Sequence, residues 1–165
     1  MILETERLIL SEFTEADAPF MYDLLTMPNW IKFIGDRGIE NVEDARKYLV
    51  TRLIPSYKAF GFGFYKVELK SDDTTIGMCG IVKRPTLDDV DIGFGFLDQY
   101  TGKSYAYEAA KATLDYALHT LNISKIIATT APENVRSQRL LEKIGLKYVG
   151  EIDQKEYGIS ALYSI

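Results

Sequence analysis

Cysteine and histidine are nearly missing from this sequence, which has one of each, Cys79 and His119, among 165 residues. A single cysteine excludes an internal disulfide framework and is typical of a protein from a reducing compartment. A single histidine cannot build the usual zinc sites, and no acidic cluster suggests a site for another metal. We therefore expect no bound metal ion.

Runs of basic residues and long apolar runs are also missing. Lysine and arginine together number 19 against 24 acidic residues, which gives a net charge of −5. No basic cluster is long enough to form a nucleic-acid-binding surface, so we expect no direct nucleic-acid partner. The first residues, 1–7, carry acids early and lack the apolar run of a signal peptide or membrane anchor. We expect a cytoplasmic protein without membrane contact.

No repeat, low-complexity stretch or linker divides the chain, so residues 1–165 are expected to form a single domain. Hydrophobic periodicity predicts the order β-α-α-β-β-β-α-β-α-β-β, a mixed α/β sheet of about seven strands with helices on both faces. A first helix is capped near Thr14. The other elements are predicted as strands at 7–13, 62–69, 74–82, 89–97, 123–130, 147–153 and 159–165 and helices at 42–53, 103–121 and 134–144.

The most informative segment is residues 90–106, where an apolar strand leads through a polar turn at Gly102 into an alanine-rich helix. This geometry turns several backbone N–H groups toward one point at the positive end of a helix, where a phosphate fits. The Gly-Lys-Ser sequence at 102–104 also ends the P-loop of nucleoside triphosphatases. That motif needs a glycine five positions earlier, where Leu97 stands, so we expect a phosphate site that does not serve ATP or GTP.

Two motifs carry a family resemblance. Residues 99–104 resemble the Gln/Arg-x-x-Gly-x-Gly/Ala loop with which the GNAT superfamily of N-acetyltransferases binds the pyrophosphate of acyl-CoA, and residues 134–146 resemble its second signature. The Glu-Thr-Glu-Arg-Leu start is similar to the ribosomal-protein N-terminal (RimJ/RimL-type) acetyltransferases. The resemblance implies a GNAT-like fold and acetyl-CoA as cofactor. It implies cofactor contacts from Phe96, Leu97, Gln99, Tyr100, Thr101, Gly102, Lys103, Ser104, Tyr105, Asn134 and Ser137.

The same resemblance implies the activity, an N-acetyltransferase that moves the acetyl group to a primary amine by direct attack in a ternary complex. The acceptor amine belongs to a protein N-terminus or to a small molecule, and a homodimer is left open. Two positions depart from the family pattern: Ser104 replaces Gly or Ala, and Leu141 stands where many members have a tyrosine that protonates the leaving thiolate. A non-catalytic acyl-CoA-binding sensor of the same fold is therefore the alternative.

The start of the 134–144 helix offers two residues with two interpretations each. Ser137 is a candidate for contacting the leaving sulfur, or it hydrogen-bonds locally in the first helical turn. A thiol with a pKa near about 8.5 needs only modest help to leave at neutral pH, so Leu141 is tolerable. Asn134 is a strong N-cap residue, and the resemblance implies that its side chain also contacts the pantetheine arm.

The strand at 89–97 supplies the remaining catalytic candidates. Asp91 is expected to share a strand face with Gly93, and the resemblance implies that it accepts the proton of the amine; the alternative is a solvated acid. Gly93 and Gly95 indicate a bulge or a close approach by a ligand. In the family an N–H at this bulge stabilises the oxyanion, and here it would come from Phe96 or Leu97.

Aromatic residues in the first half of the chain are candidates for the wall of the acceptor pocket. We select Trp30, Phe33 and Tyr65, although most such residues in proteins belong to the core. Residues 29–38 combine irregular character with aromatic content, which is typical of a loop on the acceptor side.

Overall fold

The computed structural model describes residues 1–155 and 157–165, and its strands form one mixed sheet. The strands are β1 (Leu3–Glu4), β2 (Leu8–Glu12), β3 (Phe64–Leu69), β4 (Thr75–Val82), β5 (Val90–Phe96), β6 (Ile126–Thr130), β7 (Lys147–Gln154) and β8 (Gly158–Ser164). Their order across the sheet is β1-β2-β3-β4-β5-β6-β8-β7. Neighbouring strands are antiparallel except β5 and β6, which are parallel.

Six α-helices accompany the sheet in the described part of the chain: α1 (Ala18–Leu25), α2 (Pro28–Phe33), α3 (Val42–Tyr48), α4 (Pro55–Phe60), α5 (Tyr105–His119) and α6 (Val135–Ile144). A π-helical turn, Leu49–Leu53, follows α3. Pro55 begins α4, a position that suits proline because the N–H groups of the first helical turn have no partner within the helix. Within residues 1–155 and 157–165, no helix is long and apolar enough to cross a membrane.

The hydrophobic core has two parts. One part includes Leu114 of α5, and the other includes Met21 of α1 and Leu49 of the π-helical turn. Neighbouring residues of β4 divide between them, since Cys79 belongs to the first part and Met78 to the second, as the pleat of a strand requires. The predicted mixed α/β fold with helices on both faces is confirmed, and β1 brings the sheet to eight strands.

The sheet opens between β5 and β6. Their registered pairs are Val90 with Ile126 and Asp91 with Ile127, and none follows among the described residues. Beyond this point β6 pairs with β8, while β5 continues its pairing with β4 as far as Phe96. One edge of β5 after Asp91 therefore faces a gap rather than a neighbouring strand.

Candidate functional site

A cavity of about 550 Å³ lies where β5 and β6 part. Residues of both strands line it, together with the start of α6 on one side and α2 on the other. Parting strands leave backbone groups of β5 without a partner, and the start of α6 brings the positive end of a helix to the same space. The cavity thus combines these hydrogen-bonding groups with an apolar wall, to which Trp30, Phe33 and Phe64 belong.

The two glycines of β5 make room for that wall. A Cβ atom on Gly95 would lie 2.4 Å from Cζ3 of Trp30, and one on Gly93 would lie 2.9 Å from the ring of Phe64. The pairing of β5 with β4 keeps a continuous register from Asp91 to Phe96, so the bulge expected here is wrong. Glycine is needed at both positions because aromatic rings lie directly against the backbone.

The backbone hydrogen bonds of β5 decide which of the candidate N–H groups can act as the oxyanion donor. The Leu97 N–H donates to the carbonyl of Ile76 at 3.0 Å, so it is engaged in the sheet, and Leu97 lies outside the cavity lining. We therefore correct the choice of Leu97. Because hydrogen bonds of an antiparallel pair alternate along the strand, the N–H groups of Phe94 and Phe96 are directed to the opposite edge, toward the gap.

Asp91 lines the cavity from the second position of β5. Its side chain is buried, and the Nε–H of Arg84 donates to Oδ1 at 3.1 Å and to Oδ2 at 3.2 Å. The alternative of a solvated acid is therefore wrong. Burial raises the pKa of Asp91 above its usual range, while the Arg84 guanidinium opposes that shift. The carboxylate consequently holds a proton more readily than a surface aspartate does.

The structure adds four polar residues to this end of the cavity that sequence reasoning missed: Arg37, Tyr48, Arg84 and Tyr157. Nη2 of Arg37 donates to the hydroxyl of Tyr157 at 2.7 Å. Burial raises the pKa of Tyr48, and the charges of Arg37 and Arg84 oppose the rise. These residues come from four separate segments, so no local spacing in the sequence signals their meeting.

The predicted phosphate turn has the backbone that an anion site needs. Gly102 and Ser104 both take left-handed conformations, with φ of 78° and 64°, directly before α5. Ser104 does not cap the helix with its side chain, and a Cβ on Gly102 would meet nothing within 4 Å. The first N–H groups of α5 therefore remain open to a ligand.

The phosphate turn itself lies mostly outside the cavity. Of its residues, Thr101 and Ala106 reach the lining, and Gly102, Lys103 and Ser104 are exposed beside it. Gln99, Tyr100 and Tyr105 also lie outside the lining. Their contacts with the cofactor stay predictions.

The turn is anchored to the first strands by a cluster around Glu108 of α5. Its carboxylate accepts from the Thr5 hydroxyl at 2.6 Å, from the Arg7 N–H at 2.8 Å and from Arg7 Nε at 2.7 Å. Arg7 also donates to the Lys103 carbonyl at 3.1 Å, and its guanidinium lies 4.3 Å from the centre of the Tyr105 ring. Burial raises the pKa of Glu108, but the hydrogen bonds from Thr5 and Arg7 outweigh it and lower the pKa overall.

The start of α6 reaches the cavity through Asn134 and Ser137. The Asn134 side chain accepts from the Ser137 N–H at 3.3 Å, so its predicted role as an N-cap is confirmed. The Ser137 hydroxyl makes no hydrogen bond with the residues that the structure describes and is free to meet a ligand. Leu141 also lines the cavity and supplies an apolar surface there.

Two of the three aromatic residues selected for the acceptor pocket line the cavity. Trp30 and Phe33 do so from α2, while the choice of Tyr65 is wrong. Tyr65 packs in the first core and stacks on Tyr57, with ring centres 5.6 Å apart. Because neighbours in a strand face opposite sides, Phe64 points into the cavity instead. Burial raises the pKa of Tyr65 to about 12, as its place in the core implies.

Comparison with known proteins yields a consistent set of matches. A family model described as an acetyltransferase (GNAT) domain matches residues 7–147. YnaD of Bacillus subtilis, an uncharacterized N-acetyltransferase, is 33% identical over 150 residues, which cover 91% of this chain and 85% of that protein. An acetyltransferase structure from Agrobacterium tumefaciens is similar with a TM-score of 0.85 and 25% identity over 99% of this chain and 92% of that one. RimL, a ribosomal L7/L12 acetyltransferase in complex with coenzyme A, has the same fold (TM-score 0.78, 15% identity, 99% and 96% coverage).

Proposed function

The chain belongs to the GNAT acetyltransferase family, and from that premise we propose that it transfers an acetyl group from acetyl-CoA to a primary amine by direct attack in a ternary complex. The amine belongs to a peptide N-terminus or to a small molecule. The observation that carries the proposal is the gap between β5 and β6, which connects the open N-terminus of α5 with the buried carboxylate of Asp91. Cofactor and acceptor can thus meet from opposite ends of one cavity.

The residues at the cofactor end fit coenzyme A. The N–H groups around Gly102 and at the start of α5 are arranged to bind a pyrophosphate, and no protein atom fills the space beside Gly102. The free edge of β5 offers N–H and C=O groups to the amides of pantetheine, with Asn134 and Ser137 facing them. When bound, acetyl-CoA supplies the thioester that the amine attacks.

Four groups of the chain serve the transfer. The Asp91 carboxylate accepts the proton that the ammonium group must lose, directly or through water, and its burial increases its proton affinity. Arg84 holds that carboxylate in place. A backbone N–H on the open edge of β5 stabilises the negative charge that develops on the acyl oxygen, a contribution of about 3–4 kcal/mol where such a donor is pre-positioned. Of the two N–H groups on that edge, the Phe94 N–H lies nearer to Asp91 along the strand than the predicted Phe96 N–H, so we propose Phe94 as the donor. The Ser137 hydroxyl, which lines the cavity, donates to the departing sulfur.

A non-catalytic acyl-CoA sensor is the second candidate, and Leu141 favours it. This side chain is buried beside the cavity and has no proton to give. A sensor and an enzyme both bind acetyl-CoA, but only the enzyme releases thiol when an amine is added.

Calorimetric titration with acetyl-CoA, followed by thiol release against a panel of primary amines, tests the proposal. We expect acetyl-CoA to bind with a dissociation constant below the high micromolar range, and we expect thiol release to depend on which amine is added. Gly102→Leu should abolish binding, because the new side chain enters the phosphate position. Gly61→Leu is the matched control, since Gly61 has a similar φ of 80° and the same open surroundings at the end of α4.

Absence of acetyl-CoA binding refutes both candidates. Binding without release of thiol with any amine refutes the enzyme and supports the sensor.

A further inference from the structure

Arg84 uses only one of its nitrogens to hold Asp91. The Nε–H reaches both carboxylate oxygens, and the Nη1 and Nη2 groups make no hydrogen bond with any residue that the structure describes. The side chain lies in the turn between β4 and β5, is one third exposed at 33%, and lines the cavity. A guanidinium carries its five donors in a fixed fork, so the terminal donors of Arg84 remain available to an anion.

The acceptor end of the cavity therefore presents two opposite charges side by side. Nε of Arg84 lies 3.1 Å from Oδ1 of Asp91, and Arg37 adds a second guanidinium to the lining, where it donates to the Tyr157 hydroxyl. Both guanidiniums line the same cavity, together with Tyr48. The other charged residues of the lining are Glu133, just before α6, and Arg136 in its first turn.

We propose that the acceptor is a free α-amino acid, whose amine contacts Asp91 and whose carboxylate binds the terminal donors of Arg84. This inference rests on the proposed acetyl transfer and narrows its acceptor. An α-amino acid carries its two opposite charges one carbon apart, so it can lie antiparallel along the Arg84–Asp91 pair. A fork of N–H donors matches a carboxylate with two parallel hydrogen bonds.

The proton and electron balance is that of an ordinary aminolysis. Asp91 takes one proton from the ammonium group and passes it to solvent. The C–N bond then forms as the C–S bond breaks, and the electron pair leaves on sulfur. The second proton of the attacking nitrogen passes to the departing thiolate or to solvent. The carboxylate of the acceptor stays bound to Arg84 and takes no part in bond making.

Two other classes of amine fit less well. A peptide N-terminus has a neutral amide where the amino acid has its carboxylate, so the terminal donors of Arg84 would lose their charged partner. A polyamine would bring further positive charges toward the guanidinium of Arg84. Like charges at close range repel, and burial strengthens that repulsion.

The apolar wall indicates which side chains the acceptor carries. Trp30, Phe33 and Phe64 line the same cavity as Asp91, together with Phe94 of β5. Burying an apolar side chain against them contributes about 1.5–3 kcal/mol for a residue the size of leucine. Amino acids with apolar side chains should therefore be the best acceptors.

Thiol release with matched acceptors tests the inference. The common L-amino acids are screened with acetyl-CoA, and the best is compared with its own amide, with a dipeptide amide that begins with the same residue, and with spermidine. An amide lacks the neighbouring carboxylate that holds the ammonium proton, so intrinsic reactivity favours the amide. We expect kcat/KM for the free acid to exceed that for the amide at least about tenfold.

The ratio of kcat/KM for acid and amide also separates binding from positioning. In Arg84→Gln we expect this ratio to fall about tenfold or more. If Arg84 only positions Asp91, both rates fall together and the ratio stays constant. Arg84→Lys keeps the positive charge but loses the forked donors. Its ratio of kcat/KM for acid and amide should lie between the ratios of the unaltered protein and of Arg84→Gln. Lys58→Gln is the control, because it removes the same charge from an exposed residue of α4 that makes no contact with the site.

Acetyl-CoA affinity and the circular dichroism spectrum of each variant establish that it is folded and loaded. The inference is overturned if spermidine, an amide or the dipeptide amide exceeds every free amino acid, or if the ratio is unchanged in Arg84→Gln. In either case acetyl transfer itself still stands. If acetyl-CoA does not bind to the unaltered protein, the proposed function fails together with the inference.

Discussion

Replacing Arg7 with alanine tests how the cofactor turn is held. The side chain of Arg7 makes three contacts with the segment that begins α5: with Glu108 at 2.7 Å, with the Lys103 carbonyl at 3.1 Å and with the Tyr105 ring at 4.3 Å. Alanine removes all three but leaves the backbone N–H of Arg7 bonded to Glu108. The substitution therefore loosens the turn without removing a group that faces the cavity.

The size of the effect follows from these contacts. Arg7 is 40% exposed and Glu108 17%, so the ion pair contributes about 0.2–1 kcal/mol. The bond to the Lys103 carbonyl contributes about 0.5–1.5 kcal/mol, and the contact with Tyr105 about 0.5–1 kcal/mol. Contacts of one side chain are not additive, so we take about 1–2 kcal/mol for the loss. When acetyl-CoA binds to the variant, the loosened turn must be ordered at the expense of this free energy. The affinity for acetyl-CoA should then fall about five- to thirtyfold.

Calorimetric titration measures the affinity, and steady-state kinetics at saturating acetyl-CoA measures kcat. We expect KM for acetyl-CoA to rise with the dissociation constant while kcat changes less than about twofold, because no reacting group has moved. The control is Arg46→Ala, which removes an exposed arginine paired with Glu43 at 2.6 Å on α3. Unchanged affinity in Arg7→Ala, or a loss equal to that in Arg46→Ala, would refute the reasoning.

Three further predictions concern single residues. Asp91→Asn should lower turnover while leaving acetyl-CoA affinity intact. In the unaltered protein both the amine and Asp91 must lose a proton, so the slope of log kcat/KM against pH should steepen from one to two as pH falls through the raised pKa of Asp91. In the variant only the amine titrates, and the slope should stay at one. Ser104→Gly should raise the free energy of unfolding by about 0.5–1 kcal/mol in thermal denaturation, because Ser104 has a φ of 64°. Gly95→Ala should lower it by about 1–3 kcal/mol in urea, because its Cβ would lie 2.4 Å from the Trp30 ring, and shortening Trp30 to leucine should restore part of the loss.

Local pattern was enough to predict the framework of this site. The strand, turn and helix at 90–106 and the cap at Asn134 follow from glycine, proline and capping chemistry, which act over a few residues. These are features that one segment of chain specifies by itself.

The acceptor end was predicted less well because it depends on contacts between distant segments. Arg84 and Asp91 lie on either side of one turn, but Arg37 and Tyr157 are 120 positions apart in sequence. Whether Phe64 or Tyr65 faces the cavity depends on the register of β3, and aromatic content alone does not specify it. Gly93 and Gly95 were noticed, but their reason, the rings of two other segments, is visible only in the fold.

A crystal structure of the chain with coenzyme A tests the central claim most directly, namely that the gap between β5 and β6 is the cofactor cleft. We predict the pyrophosphate at the N–H groups around Gly102 and the start of α5. We predict the pantetheine along the free edge of β5, with its sulfur between Ser137 and the Phe94 N–H. Coenzyme A bound elsewhere, with β5 and β6 unoccupied between Asp91 and Phe96, would contradict the account.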